Sequence, residues 1–596
     1  MMTINRMLKP IVAGTLLSCS LAFTACVDDS YDLSQDIDLT MQLGTEGLQV
    51  KLGNTEKIYM NDILELDDEE NLETTPGGLY YLVEEGNTEF HFDIENVSTN
   101  LDAAQLTPEL HAATFEELTE AAGLSGIDYI PSMPEVTIKS TGITAEAELD
   151  IHVDDVPDYV YNIKSIKPRN GRFHLWMEII QTSLGEHFWF EEIKNLKVYI
   201  PDYVKCPTAV NGMVSIPDMT EKHKHEVDMG YIDIDLLEFE GENGLEVKDG
   251  KFVIPGHVGM SCDATFSCDG GFPMKAGDFV NIRLHIEPTN SGTIHAEEFT
   301  GIFNPELNPE VSPIEIGNDL PDFLQDDEVR LTVANPTIRF DADLTQVPVT
   351  VDFGGVLTAY KEGTTQRSVR IPESGTAALS KSSRNLLYFF QGDAPFDPAG
   401  TQGGDLYRIG NLSSLLTEVP DRIGVDLGNG KVSVRHNQLQ TIGFGRSYSA
   451  ALNYYIYVPF VFDEGLRIVY NDSITDLHED LADYQAEGVV ATANIISTVP
   501  LDLTATIEPV GIDDKVIKSI QVNEAIVKAG NTEGVSTPVE IRITLNNPAD
   551  LQKLDRLRFR ITAAASQSDM LTSQQYIQVK DLRIKLTGPV IADLND

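Results

Sequence analysis

Basic residues are scarce in this chain. Its 596 residues include 42 lysines and arginines against 94 aspartates and glutamates, for a formal charge of −52. So anionic a surface is repelled by phosphate, which argues against nucleic acid or an anionic membrane face as a partner. Compact catalytic signatures are missing as well. There is no Gly-x-Ser-x-Gly elbow, His-Glu-x-x-His pair, Cys-x-x-Cys or Walker lysine loop, so chemistries that announce themselves by motif have no positive support. "LGNGK" from Leu427 has its first glycine misplaced for a phosphate loop, and Asn429-Gly430 reads instead as a hairpin turn. Glycoside hydrolysis needs two carboxylates at a set separation in space, and among so many acids the sequence singles out no pair. Helix signals are few, and tryptophan occurs twice.

What is present begins with an export signal. "MMTINRMLKP" carries Arg6 and Lys9 and no acid, Ile11 to Ala25 is apolar or small, and a cysteine follows. That is a positively charged start and an apolar stretch too short to span a bilayer. "LAFTAC" resembles a bacterial lipobox, which implies cleavage before Cys26 and lipid attachment to it. Phe23 departs from the usual Leu or Val, and "LLSC" ending at Cys19 is a competing match. Removing residues 1–25 takes away Arg6 and Lys9, shifting the formal charge from −52 to −54. The leader "CVDDSYDLSQDIDLT" resembles the acid-rich export signal of Bacteroidetes surface lipoproteins. In physical terms it is a solvated, self-repelling tether with too few apolar residues to fold.

Beyond the tether, alternation of period two dominates. "GLQVKL", "RFHLWMEI", "EVRLTVANP", "KVSVRH" and "PVEIRITLNNP" each place aliphatic or aromatic residues on one face. In "VGMSCDATFSCD", Cys262 and Cys268 share the apolar face of one strand. Positions six apart in a strand lie about 20 Å from each other, far beyond the roughly 7 Å limit for a bridge. Both are therefore expected as unbridged core residues. Two helices are predicted. One is "TFEELTEAAG", with Thr114 as N-cap, Glu117 as its reciprocal partner and Gly123 as terminator; the other is "SITDLHEDLADY" from Ser473.

An aliphatic-Pro-Asp unit recurs at Val156, Ile200, Ile216, Leu320 and Val419. Proline fixes φ and gives up a donor, and the aspartate accepts from nearby amides, so the unit is expected to punctuate sandwich-like domains. Its later copies are spaced like immunoglobulin-sized sandwiches, and "TQVPVTVDFGG" and "STVPLDLTATI" echo each other. The fold expected is all-β: several β-sandwich, immunoglobulin-like domains in tandem with few short helices. The organisation expected is a signal over 1–25, an acidic tether over 26–40, a β domain over 41–135, β-sandwiches over 136–308 and 309–486, and a C-terminal β-sandwich over 487–596. "LPDFLQDDEVRLTVANPTIRFDADLTQVPVTVDFGGVLTAY" resembles the immunoglobulin-like domains of late-embryogenesis-abundant proteins. Chain-wide, the lipobox, the leader and the final segment from Leu554 resemble multidomain surface lipoproteins of gut Bacteroidales, which implies location and architecture, not activity.

Three features point to ligands. "KHKHEVD" places His223 and His225 on one face of a strand with Glu226 beside them, a pair able to hold a borderline metal if a third ligand joins, though an exposed polar strand is the simpler reading. Acid-rich loops such as "DDEEN" from Asp67 are candidates for Ca²⁺ but lack calcium-loop spacing; no other cofactor is implied. In "RFHLWMEI", His174, Trp176 and Glu178 occupy the polar face, and "HFWFEE" reads as the return strand of a hairpin carrying Trp189. A tryptophan there needs a cover, either a neighbouring domain or a ligand such as a sugar ring. The expectation is a lipid-anchored protein at the outer membrane, facing the cell surface, that binds or adheres, glycans being the ligand class, and is not an enzyme. The alternatives are an assembly subunit of an outer-membrane complex and an unrecognised glycan hydrolase.

Overall fold

The computed structural model describes residues 41–43, 48–61, 71–96, 98–101, 104–148, 151–153, 156–180, 184–220, 222–289, 293–307, 309, 311–316, 324, 327–428, 430–478, 484–485, 487–565, 567–588 and 590–592. Cys26, the signal and tether, the four acids of "DDEEN" at 67–70 and most of the Leu320 unit lie outside them. Among the described residues the fold is all-β, built of β-sandwiches in which nearly every ladder is antiparallel. No helix among them is long and apolar enough to cross a membrane.

The first sandwich contains eight strands: β1 (Ala104–Thr114), β2 (Val136–Glu148), β3 (Arg172–Ile179), β4 (Phe188–Tyr199), β5 (Met213–Ser215), β6 (Glu226–Asp233), β7 (His257–Cys268) and β8 (Phe279–Pro288). They pair as β6-β3-β8-β1 and β5-β4-β7-β2. That is the order of an eight-stranded jelly roll, so this unit is a β-sandwich as expected but not in the immunoglobulin order. Period-two side chains from both sheets fill the middle: Phe173, Leu175, Met177 and Ile179 of β3 meet the layer of Phe188, Phe190, Met260 and Phe266, all buried. Cys262 and Cys268 are buried on the core face of β7 and unbridged. The capped helix forms as read: α1 (Phe115–Ala121) has Thr114 accepting from the Glu117 amide while the Glu117 side chain reaches back to the Thr114 amide. Of the second helix, only Leu477 and His478 are described as helical.

The ladders divide the chain differently from the linear reading. Among the described residues of 41–135, the strands pair mainly outside that segment. Leu48–Gly53 and Ile58–Tyr59 pair with Tyr576–Thr587, and Met41–Leu43 pairs with Val590–Ala592. Tyr80–Ile94 pairs along its length with Arg446–Pro459, and β1 enters the jelly roll. The jelly roll is thus inserted into a middle sandwich, and the middle sandwich into the C-terminal one. Arg467–Ile474 pairs with Leu554–Ala564, so the C-terminal unit claims strands before residue 486. A base sheet containing Val160–Pro168 and Thr293–Phe303 joins the jelly roll to the middle sandwich through Gln440–Gly443.

The Pro-Asp units at Val156, Ile200 and Val419 stand just before strands, whereas the one at Ile216 directly follows β5. At two of them the same turn forms, the Val160 amide donating to the Pro157 carbonyl and the Val204 amide to the Pro201 carbonyl, both at 2.9 Å. At two others the carboxylate does the holding: Asp218 accepts from the Asn195 amide and Asp421 from the Glu362 amide. "EVRLTVANP" keeps its alternation, with Val329, Leu331 and Val333 buried, yet it pairs only through isolated bridges to Arg467 and Phe462. The strands on either side of Gly430 join different sheets, so that turn is no hairpin.

Candidate functional site

The outer face of β6-β3-β8-β1 is assembled by alternation. While Leu175 and Met177 go into the core, His174, Trp176 and Glu178 face outward. While Leu284 and Ile286 are buried, Arg283 and Glu287 face outward with His285 between them. On β6, strict alternation from buried Met229 would send Tyr231 inward. A bulge opposite Leu175/Trp176, with Gly230 at φ 86°, shifts the phase, so Tyr231 emerges 55% exposed beside His174 while Ile232 stays buried.

The aromatic groups stand in stacked pairs. Trp176 lies on His285 with ring centroids 3.7 Å apart and planes 1° from parallel. His174 stacks on Tyr231 at 4.9 Å, and the Arg172 guanidinium sits 5.4 Å from the Tyr231 ring centre. Three carboxylates are fixed by cationic or imidazole partners: Glu178 Oε1 by His285 Nε2 at 2.9 Å and Arg283 Nη1 at 3.2 Å, Asp228 Oδ1 by His174 Nε2 at 3.0 Å, and Asp233 by Arg172. The Gly230 amide, then His174, hold the Asp228 carboxyl below the usual carboxylate range. His285 is only 4% exposed, and its Nδ1 has no hydrogen-bond partner among the described residues. Across β3 from His285, the neighbour of Trp176 is Asp228, a side chain too short to cover an indole.

The structure therefore brings His174, Trp176 and Glu178 together and adds Asp228, Tyr231, Arg283 and His285, which the sequence reading passed over. Alternation in "NIRLHIE" could have placed Arg283 and His285 on a polar face. Only the strand pairing puts that face beside Trp176. Such a surface can bind. It offers aromatic planes flanked by acceptors and donors in fixed positions, and these carboxylates are engaged rather than left as a free acid pair.

Trp189 lies elsewhere. β3 and β4 belong to opposite sheets and are not a hairpin, because each must turn its apolar face to the shared core; the short 3₁₀ turn Gly185–His187 carries the chain across. Trp189 is half-buried on the outer face of β4, stacked on His223 at 4.3 Å and tilted against His225 at 5.2 Å. With His223 at φ 64°, the two histidines do not project from one regular strand. They fold over the indole, and Glu226 begins β6. Among the described residues no three His, Cys, Asp or Glu side chains gather as an ion site.

No family model matches the chain, and no curated protein matches it. Among solved structures, a Parabacteroides distasonis protein described as a candidate secreted protein is 16% identical, with 49% of this chain and 90% of that one covered at a TM-score of 0.33. The N-terminal CBM22-1–CBM22-2 tandem domain from Paenibacillus barcinonensis is 10% identical over 50% of this chain and 89% of that one, at 0.13. Broad bean stain virus gives 10% identity over 50% and 89%, at 0.12.

Proposed function

We propose that this is a cell-envelope binding protein that takes glycans on the outer face of β6-β3-β8-β1, and that it is held at the outer membrane by lipid on Cys26. The observation that supports the binding reading is the half-buried Trp176 stacked on His285, with one neighbouring side left to the short Asp228 and with Glu178, Arg283, His174 and Tyr231 around it. A sugar presents an apolar ring face and a rim of hydroxyls. An aromatic plane with fixed polar groups matches both. The anchor is supported by the lipobox-like "LAFTAC" and the acidic leader that follows it.

The test is a polysaccharide array probed with wild type, Trp176→Ala and Tyr231→Ala. Wild-type retention of at least one glycan class, lost in both variants while their melting stays cooperative, is the expected result. No retained glycan, or retention unaffected by either substitution, refutes the proposal. No particular contact favours an assembly subunit or a hydrolase over this reading.

A further inference from the structure

Carboxylates outnumber cations on the outer face of β6-β3-β8-β1. On β3, β6 and β8 the outward side chains include five carboxylates, Glu178, Glu226, Asp228, Asp233 and Glu287, against two guanidinium groups, Arg172 and Arg283. Both guanidinium groups are committed, Arg172 to Asp233 and Arg283 to Glu178. Glu226 stands directly opposite Glu178 across the ladder, so two acids sit side by side. An anion brought to this face therefore meets an excess of negative charge.

Hydrogen-bond capacity runs the same way. Glu178 meets both His285 and Arg283 through Oε1, and Asp228 meets both His174 and the Gly230 amide through Oδ1. Among the described residues, Glu178 Oε2 and Asp228 Oδ2 take no hydrogen bond, and each is a full acceptor. Asp228 is the cross-strand neighbour of Trp176, and Glu178 lies two residues further along β3, so the two carboxylates flank the indole. Both side chains reach solvent, that of Asp228 being 66% exposed and that of Glu178 20%.

We infer that this face selects uncharged glycans over acidic ones, hydroxyl groups of the sugar donating to Glu178 Oε2 and Asp228 Oδ2 while its ring lies on Trp176. A hydroxyl supplies the donor that these oxygens lack and brings no charge. A uronate or a sulfate puts in its place a group that only accepts, and no guanidinium of β3, β6 or β8 is uncommitted to receive it. The inference rests on the glycan reading of this face and adds the chemical class of the ligand to it.

The experiment measures affinities of the chain from residue 27 onward for two sets of probes. Amylose, galactan, mannan and N-acetyl-lactosamine form the neutral set; polygalacturonate, hyaluronan, chondroitin sulfate and sialylated N-acetyl-lactosamine form the acidic set. At least one neutral probe should bind, and at least tenfold more tightly than every acidic one. Raising the salt from about 0.1 M to about 1 M shortens the screening length from about 10 Å to about 3 Å, which should leave the neutral affinity unchanged and narrow the gap at least threefold. The double variant Glu226→Gln/Glu287→Gln, which removes two negative charges and leaves Trp176, Glu178 and Asp228 in place, should narrow it likewise; the salt series keeps the inference testable if that variant does not fold. An acidic probe bound as tightly as any neutral one, or a gap that neither salt nor the double variant narrows, overturns the inference. If such an acidic probe is lost in Trp176→Ala, the glycan reading stands without it, whereas binding of neither set overturns both.

Discussion

Cutting the chain between Glu95 and Asn96, both exposed, should not release its N-terminal piece. Tyr80–Ile94 lies in register with Arg446–Pro459 over fourteen residue pairs, and Tyr80, Tyr81, Phe92 and Ile94 are each at most 6% exposed. Burial of four such side chains is worth about 8 kcal/mol. Around a dozen ladder hydrogen bonds at about 1 kcal/mol each bring the gross hold to roughly 20 kcal/mol. Against an association cost of about 4–15 kcal/mol, that leaves roughly 5–16 kcal/mol, a range that spans the 8.2 kcal/mol of a micromolar complex. The same piece has a second hold in the C-terminal sandwich, where the Thr55 amide donates to the Val579 carbonyl, Thr55 Oγ1 accepts from the Val579 amide and Asn54 Oδ1 accepts from the Asp581 amide. A protease site inserted at 95/96, cleavage, and size-exclusion chromatography at micromolar concentration provide the assay. Both pieces should elute together in buffer and apart in denaturant. A piece that elutes alone in buffer would refute the nested pairing.

Asp397→Ala should cost about 3–5 kcal/mol, measured by denaturant titration, because Asp397 accepts from the Tyr388 hydroxyl and the Thr401 amide and pairs with Arg339, which is 6% exposed and would lose that partner. Cys262 and Cys268 should resist thiol reagents in the native protein at pH 8 while the partly exposed Cys206 reacts, since burial pushes the first two thiols up to about 12 and about 11. A pKa raised by folding supports stability below the ordinary thiol range. That support should fade as the pH climbs from about 9 towards 12, so the melting temperature should fall over this window, less steeply in a Cys262→Ala protein. Cys26→Ser should leave the protein uncleaved or released from the membrane fraction; unchanged processing and fractionation would point to Cys19 or to an ordinary secretory signal.

What the sequence disclosed and what it hid divide by range. The inward and outward faces of 172–179 and 257–268 were legible because a strand's period of two is local, and so was the capping box at Thr114, whose partners are three residues apart. The nesting was not. Pairing Tyr80–Ile94 with Arg446–Pro459 rests on contacts more than 350 residues apart in the chain, and nothing in either segment names the other. The jelly-roll order was hidden for the same reason, which is why "HFWFEE" read as the return strand of a hairpin when it belongs to the opposite sheet. At the candidate site, His174, Trp176 and Glu178 were found as one strand's polar face. Tyr231 was lost to a bulge that reverses its side, and His285 appeared only once β8 lay beside β3. His223 and His225 were noticed for metal chemistry, whereas their nearest aromatic neighbour in space is Trp189.

Because the chain has only two tryptophans and both lie on the jelly roll, a Trp189→Phe protein carries Trp176 as its single indole reporter. Titrating that protein with glycans while following its emission tests the binding claim at the residue that carries it. A saturable change in Trp176 emission is predicted for at least one glycan class, with binding weakened at least tenfold in Trp176→Ala and a stability loss below about 3 kcal/mol, as befits a half-buried side chain. Glycan binding that leaves Trp176 emission unchanged and survives Trp176→Ala, or no binding by any glycan tested, would contradict the account.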